Sequence, residues 1–215
     1  MPKRLTRAES QAVTRERLLE AAATVFARCG FGGASVDEIV EEAGLSKGAV
    51  YANFASKEAL FLALLDRCLD EEEQALGEIF ARERTLAAQI AAVGRWAPGL
   101  VGQPLEWRLL ATEFWLHAAR HPEVGRALAA RYRRQRATAA RLIDGAYRRM
   151  GRTPPAPVED LAAAVIALQN GLAQRAAVDP EAIHAGLYGS MLTLLLGGAN
   201  DRNDTINEGL SHATD

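Results

Sequence analysis

An all-α fold of about nine helices is what this 215-residue chain predicts. Three observations carry that reading. Apolar residues make up 49% and charged residues 24%, globular values, while only 8 prolines and abundant alanine and leucine favour helix over sheet. Apolar side chains recur at helical spacing in one segment after another. The prolines stand between those segments, where helices stop and restart. The formal charge of −2 leaves no basic field over the whole protein, so any affinity for nucleic acid must be local.

Residues 1–13 read as a flexible basic arm carrying Lys3, Arg4 and Arg7, with helix expected from about Thr14. Leu18, Ala22, Val25, Phe26 and Cys29 then keep helical spacing until Gly30 supplies a stop. Ser35, with Glu38 three residues on, makes a capping box for a second helix, whose inner face is Val36, Ile39, Val40 and Ala43 and whose end is Gly44. Ser46 can cap a third helix with Val50 and Phe54 inward, and Ser56 a fourth running through Leu60, Leu64 and Leu65. Longer amphipathic segments follow, at about 57–76, 85–101, 103–120, 122–150, 158–177 and 180–197, punctuated by Pro104, Pro122, Pro154, Pro155, Pro157 and Pro180. The expected organisation is the arm, a three-helix domain at 14–56, a larger helical domain at 57–198 and a loose polar tail at 199–215.

A helix that ends at Gly44 and restarts at Ser46 leaves a tight turn between two short helices, the helix-turn-helix arrangement. Glycine at 44 can take the left-handed conformation such a turn needs, and Gly48 lets the third helix approach a surface closely. The outward groups Ser46, Lys47, Tyr51 and Asn53 can meet phosphate oxygens or base edges, at the helix end whose dipole favours anions. Nearby acids Asp37, Glu38, Glu41 and Glu42 must point away from phosphate or serve as caps, because otherwise they would repel it.

The stretch ARCGFGGASVDEIVEEAGLSKGAVYANFASKEAL resembles the amino-terminal DNA-binding domain of the TetR family of bacterial transcriptional regulators. Several linked motifs in order carry the likeness: the Gly-Phe after the first helix, the S-V-D-E-I opening of the second, A-G-L-S-K-G-x-x-Y across the turn, and N-F-x-S-K-E-x-L into the fourth. The resemblance implies a ligand-responsive regulator, most often a repressor, that binds double-stranded operator DNA as a homodimer and is released by a small-molecule effector. It implies that Lys47, Gly48 and Tyr51 approach bases and phosphates in the major groove, while Ser35, Ser46, Asn53 and Lys57 hold the DNA backbone. Ser35 stands where threonine is frequent, but keeps the hydroxyl. Ala49 and Ala52 are too small to read a base by hydrogen bonding. Arg4 and Arg7 of the arm complete the candidate contacts.

In the larger domain, Trp96, Trp107, Phe114 and Trp115, with Arg108, Gln169 and Asn170, would suit either a packed interior or an apolar effector cavity with a few orienting groups. Leu161, Val165, Leu168 and Leu172, facing Ile183, Leu187, Leu194 and Leu195, are the expected dimer surface, with Gly186 and Gly189 allowing close approach. The arginines from 131 to 152 fan around a helix whose buried stripe is Val124, Leu128, Tyr132, Ala139, Leu142, Ile143, Ala146 and Met150, so they read as solvated surface paired with acids such as Glu71 to Glu73. His117 and His121 stand four apart, but Ala118 takes the place of a catalytic glutamate, and no metal or other cofactor is expected. Cys29 and Cys68 form no disulfide framework, the longest apolar runs are short for a membrane span, and a cytoplasmic protein is expected. A helical enzyme or metal-binding bundle would need a catalytic or ligating constellation that this sequence does not offer, and an interaction module that has lost DNA is the remaining alternative.

Overall fold

The computed structural model describes residues 6–97, 105–184 and 186–197, all helix, turn or loop. Arg4 and the 199–215 tail lie outside them. Nine α-helices occur among the described residues: α1 Arg7–Gly33, α2 Val36–Ala43, α3 Lys47–Tyr51, α4 Lys57–Arg82, α5 Leu86–Trp96, α6 Leu105–Arg120, α7 Pro122–Arg149, α8 Val158–Val178 and α9 Leu187–Leu196.

Several ends differ from the sequence expectation: α3 stops at Tyr51, short of Phe54, and α5 at Trp96. Helix α1 begins at Arg7 rather than Thr14, because Thr6 Oγ1 accepts the Glu9 amide (3.2 Å) while Glu9 Oε2 accepts the Thr6 amide (2.7 Å), a reciprocal cap. Its first turns are exposed on all sides and so carry no apolar rhythm. Helix α4 continues through Gly77 to Arg82. The last expected segment is broken: Asp179 Oδ1 caps a 3₁₀ turn, Pro180–Ala182, and α9 starts only at Leu187, which leaves Ile183 outside any helix.

The chain divides into two compact units, Met1–Glu71 with Pro104–Arg131, and Glu72–Gln103 with Tyr132–Asp215. The first therefore takes in α6 and the start of α7 as well as the three short-range helices. Its core joins Leu18, Val25 and Phe26 of α1 to Ile39, Val50, Phe54, Leu60 and Leu64, and to Leu110, Phe114, Val124 and Leu128. Phe61 and Phe114 stack with centroids 3.9 Å apart, and Phe26 and Phe31 close over them. Each such ring contributes about 1.5–3 kcal/mol by burial. Between α1's main body and its last turn, Gly30 takes φ 69° and ψ 175°, and Glu113 Oε2 of α6 accepts the Phe31 amide freed there (2.7 Å).

The second unit has its own core of Leu86, Ile90, Ile143, Ala146, Leu161, Ala162, Leu192 and Leu196, with Tyr147 and Tyr188 buried among them. The Tyr147 hydroxyl donates to the Leu196 carbonyl. On α7, Tyr147 replaces Tyr132 on the buried stripe; Tyr132 is 40% exposed. Glu73 accepts from Arg134 (3.1 Å) and Arg141 (2.8 Å), so the arginine fan is tied to α4 acids, while Arg133 and Arg136 are exposed. No helix among the described residues is long and apolar enough to cross a membrane.

Candidate nucleic-acid interface

The turn between α2 and α3 is built by two caps and one glycine. Ser35 Oγ accepts the Glu38 amide (3.2 Å), while the Ser35 hydroxyl (2.7 Å) and amide (2.8 Å) donate to Glu38 Oε2, and these last two bonds hold the Glu38 carboxyl below its ordinary range. At the other end Gly44 adopts φ 61° and ψ 38°, the left-handed conformation, so that its amide and that of Leu45 bond back to Glu41 and Val40 carbonyls. Ser46 then caps α3, its Oγ accepting the Ala49 amide at 3.3 Å. Helix α3 is anchored from beneath by Val50, fully buried, and Phe54 just beyond its end.

What α3 presents outward is Lys47, Gly48 and Tyr51, all exposed, with Tyr51 at 58%. Beyond the adjoining residues and the helix's own backbone, the nearest atom to where a Cβ on Gly48 would stand is the Ser46 hydroxyl at 3.7 Å, so this face of α3 is open to a partner. Ser35 and Arg7 are exposed as well, Arg7 in the first turn of α1.

Two side chains expected at the DNA backbone are engaged within the protein. Lys57 Nζ donates to the carbonyls of Phe31 (2.7 Å) and Ala34 (2.8 Å) and stands 4.5 Å from the Phe31 ring centroid. It ties the α1–α2 loop to α4, an inward task. Asn53 Nδ2 donates to the Ala49 carbonyl (2.8 Å), while Arg15 Nη1 bonds the Asn53 carbonyl (3.2 Å), so Asn53 closes the end of α3. Arg17, not singled out from sequence, likewise bonds the Ala43 carbonyl at 2.8 Å and secures the end of α2. Such long-side-chain caps leave no local sequence signal beyond a cation at the right helix face.

The candidate effector residues separate. Trp107, Arg108, Phe114 and Trp115 belong to the first unit, where Phe114 is core, Trp107 stacks on Phe61 and Trp115 is 52% exposed. Trp96, Gln169 and Asn170 belong to the second, with Trp96 and Gln169 half-buried and Asn170 exposed. There the Tyr188 hydroxyl donates to Gln169 Oε1 (3.4 Å), and Glu72 Oε2 accepts from Gln135 Nε2 (3.0 Å). Burial raises the Glu72 carboxyl despite that bond, and burial with the Glu72 charge raises Tyr188. Of the expected dimer residues, Leu161 is buried in the second unit's own core, Val165, Leu168, Leu172 and Leu195 pack against it, Leu187 is half-buried and Leu194 is 56% exposed. Gly189 faces Gly94 of α5 inside the same unit, not open solvent.

A capped, glycine-turned helix pair with an exposed second helix, on an all-α chain, defines a helix-turn-helix regulator. Residues 18–64 match the family described as bacterial regulatory proteins, tetR family, and residues 91–193 match the carboxy-terminal domain of BetI-type transcriptional repressors. The chain belongs to the TetR family of transcriptional regulators, with a carboxy-terminal domain of the BetI type, a family of regulators and not of enzymes. It is similar to the transcriptional regulator UidR of Escherichia coli K12, 34% identical over 114 residues, which cover 52% of this chain and 55% of UidR. It is 46% identical over 56 residues to the transcriptional activator FasR of Mycolicibacterium smegmatis, 26% of either protein. The chain thus spans about a quarter or less of the first curated relatives it matches, and about half of UidR. Among solved structures, Salmonella enterica GusR shares the fold with a TM-score of 0.69 at 24% identity, covering 91% of this chain and all of that one. A transcriptional regulator from Saccharomonospora viridis, solved in complex with choline, aligns with a TM-score of 0.66 at 19% identity over 85% of this chain and 94% of its own.

Proposed function

We propose that this chain is a ligand-responsive repressor that binds an inverted-repeat operator in double-stranded DNA as a homodimer and releases it when a small molecule occupies the BetI-type domain. The observation that carries the reading is the amino-terminal end of α3, held behind left-handed Gly44 and presenting Lys47, Gly48 and Tyr51 to solvent. In this reading Lys47 and Tyr51 meet phosphates and base edges in the major groove, Gly48 lets the helix backbone close on the duplex, the Ser46 hydroxyl donates to a phosphate, and that of Ser35 does so on giving up its bond to Glu38. Arg7, and Arg4 before it, add charge along the DNA backbone. Pairing of two copies uses the outer faces of α8 and α9, where Ala163, Ala167, Gly171 and Leu194 are exposed. The repressor sense follows the BetI-type description of the carboxy-terminal match. That a protein of the same fold was solved with choline supports a small organic effector, here held in the second unit beside Tyr188, which bonds Gln169 and stands near Glu72.

A mobility shift with DNA from upstream of the chain's own gene tests this. Wild type should bind with an affinity that falls steeply with salt, and Lys47→Ala and Tyr51→Ala should each weaken binding by about tenfold or more. A wild type with no salt-dependent preference for any such fragment overturns the reading.

A further inference from the structure

Acids crowd the helix that precedes the reading helix, and three of the four have partners among the described residues. Glu38 closes the α2 cap, and Glu42 Oε2 pairs with Arg28 at 3.4 Å. Asp37 takes no part in the cap. Its Oδ1 lies 2.6 Å from Lys47 Nζ, with the two side chains 64% and 61% exposed. Lys47 is the first residue of α3. The Asp37 carboxylate neutralises it, and its hydrogen bond holds the Lys47 ammonium above its ordinary value.

A DNA phosphate would compete with Asp37 for the same ammonium, and one ammonium cannot fully serve both. We infer that Asp37 is an affinity-setting counter-charge, a carboxylate that occupies Lys47 in the free protein and must yield it to a phosphate when duplex DNA binds. The inference rests on the DNA-binding reading above. It makes the attraction between this surface and any duplex weaker than its lysine count suggests, because one cation is already neutralised and one anion is left beside the phosphates.

The experiment uses fluorescence anisotropy with a labelled 30-base-pair duplex of arbitrary sequence, across a series of salt concentrations, for the full chain. Asp37→Asn should bind about three- to tenfold more tightly and steepen the dependence of log affinity on log salt by about one. Asp37→Glu, which keeps the charge, should stay within about twofold of wild type. In a Lys47→Ala background the Asp37→Asn gain should fall well below its size with Lys47 present, because only the repulsion between Asp37 and the phosphates is then left to relieve. Unchanged or weaker binding by Asp37→Asn overturns the inference, and so does an equal gain with Lys47 absent, which would reflect net charge alone. If wild type prefers its upstream fragment and Asp37→Asn gains nothing, this inference fails and the proposed function stands. If no fragment is preferred over the arbitrary duplex, the proposed function fails on its own evidence. A wild type that binds neither DNA overturns both.

Discussion

Glu72 is a carboxyl on α4 whose described hydrogen-bond donor is the Gln135 amide, and burial raises its affinity for a proton. Because the folded-state value lies above the unfolded one, the group favours folding fully below the unfolded value, near pH 4, and that contribution is lost as pH rises through the folded value. Glu72→Gln removes a buried charge that forms only at the higher pH. The variant should melt about 2–4 °C above wild type at pH 8, and the gap should close towards pH 4 in a fluorescence melting series. A gap of the same size at both pH values would mean that packing rather than ionisation is responsible. At this scale the left-handed Gly44 was legible, since glycine takes that conformation more readily than any side-chain-bearing residue. The roles of Lys57 and Asn53 were not, because a long or amide side chain can turn to phosphate or to a nearby carbonyl, and the choice depends on which carbonyls the fold brings within reach.

Helices α2, α3 and α5 each begin at a serine or threonine whose hydroxyl takes an amide three residues on. Such caps are short-range chemistry, and the starts of α2, α3 and α4 are legible from Ser35, Ser46 and Ser56. The Thr6–Glu9 cap has the same form, yet the helix it begins lacks apolar rhythm for its first ten residues, so periodicity alone placed the start too late. Where two helices cross, the sequence is less informative. A Cβ on Gly94 of α5 would stand 3.0 Å from the Gly189 Cα of α9, whereas one on Gly189 would meet Gly94 at 3.7 Å, an ordinary contact. Alanine at either site gains about 0.5–1 kcal/mol of helix propensity, but only Gly94→Ala must push the helices apart. Gly189→Ala should therefore melt at or slightly above wild type, and Gly94→Ala clearly below it, by calorimetry. The reverse order would show that this crossing is not as close as described. Gly189 had suggested contact between two copies of the chain, and its neighbour proves to be within one copy.

Across the whole molecule, the helix-turn-helix belongs to a unit that also contains α6, reached from a distant part of the chain. The bond from Glu113 to the Phe31 amide spans 82 residues of sequence, and the ring nest of Phe31, Phe61 and Phe114 draws on three helices. The proposed dimer is a question at this scale. Sedimentation should return twice the 23.2 kDa chain mass, and Leu194→Asp, placing a charge on an exposed leucine of α9, should shift the equilibrium towards one chain. A single-chain mass for wild type at micromolar concentration would remove the two-fold operator from the proposal.

The sequence by itself determined the all-α class, the order of the helices, and the capped turn that presents α3, because caps, stops and apolar spacing act over three or four residues. Only the tertiary structure decided that Phe114 is core and Trp115 surface, that Lys57 points inward, that Leu161 serves its own unit, and that Asp37 holds Lys47. Those outcomes turn on partners far along the chain or across a turn. A side chain's local sequence states what it is able to bond, and packing selects which of those bonds is made.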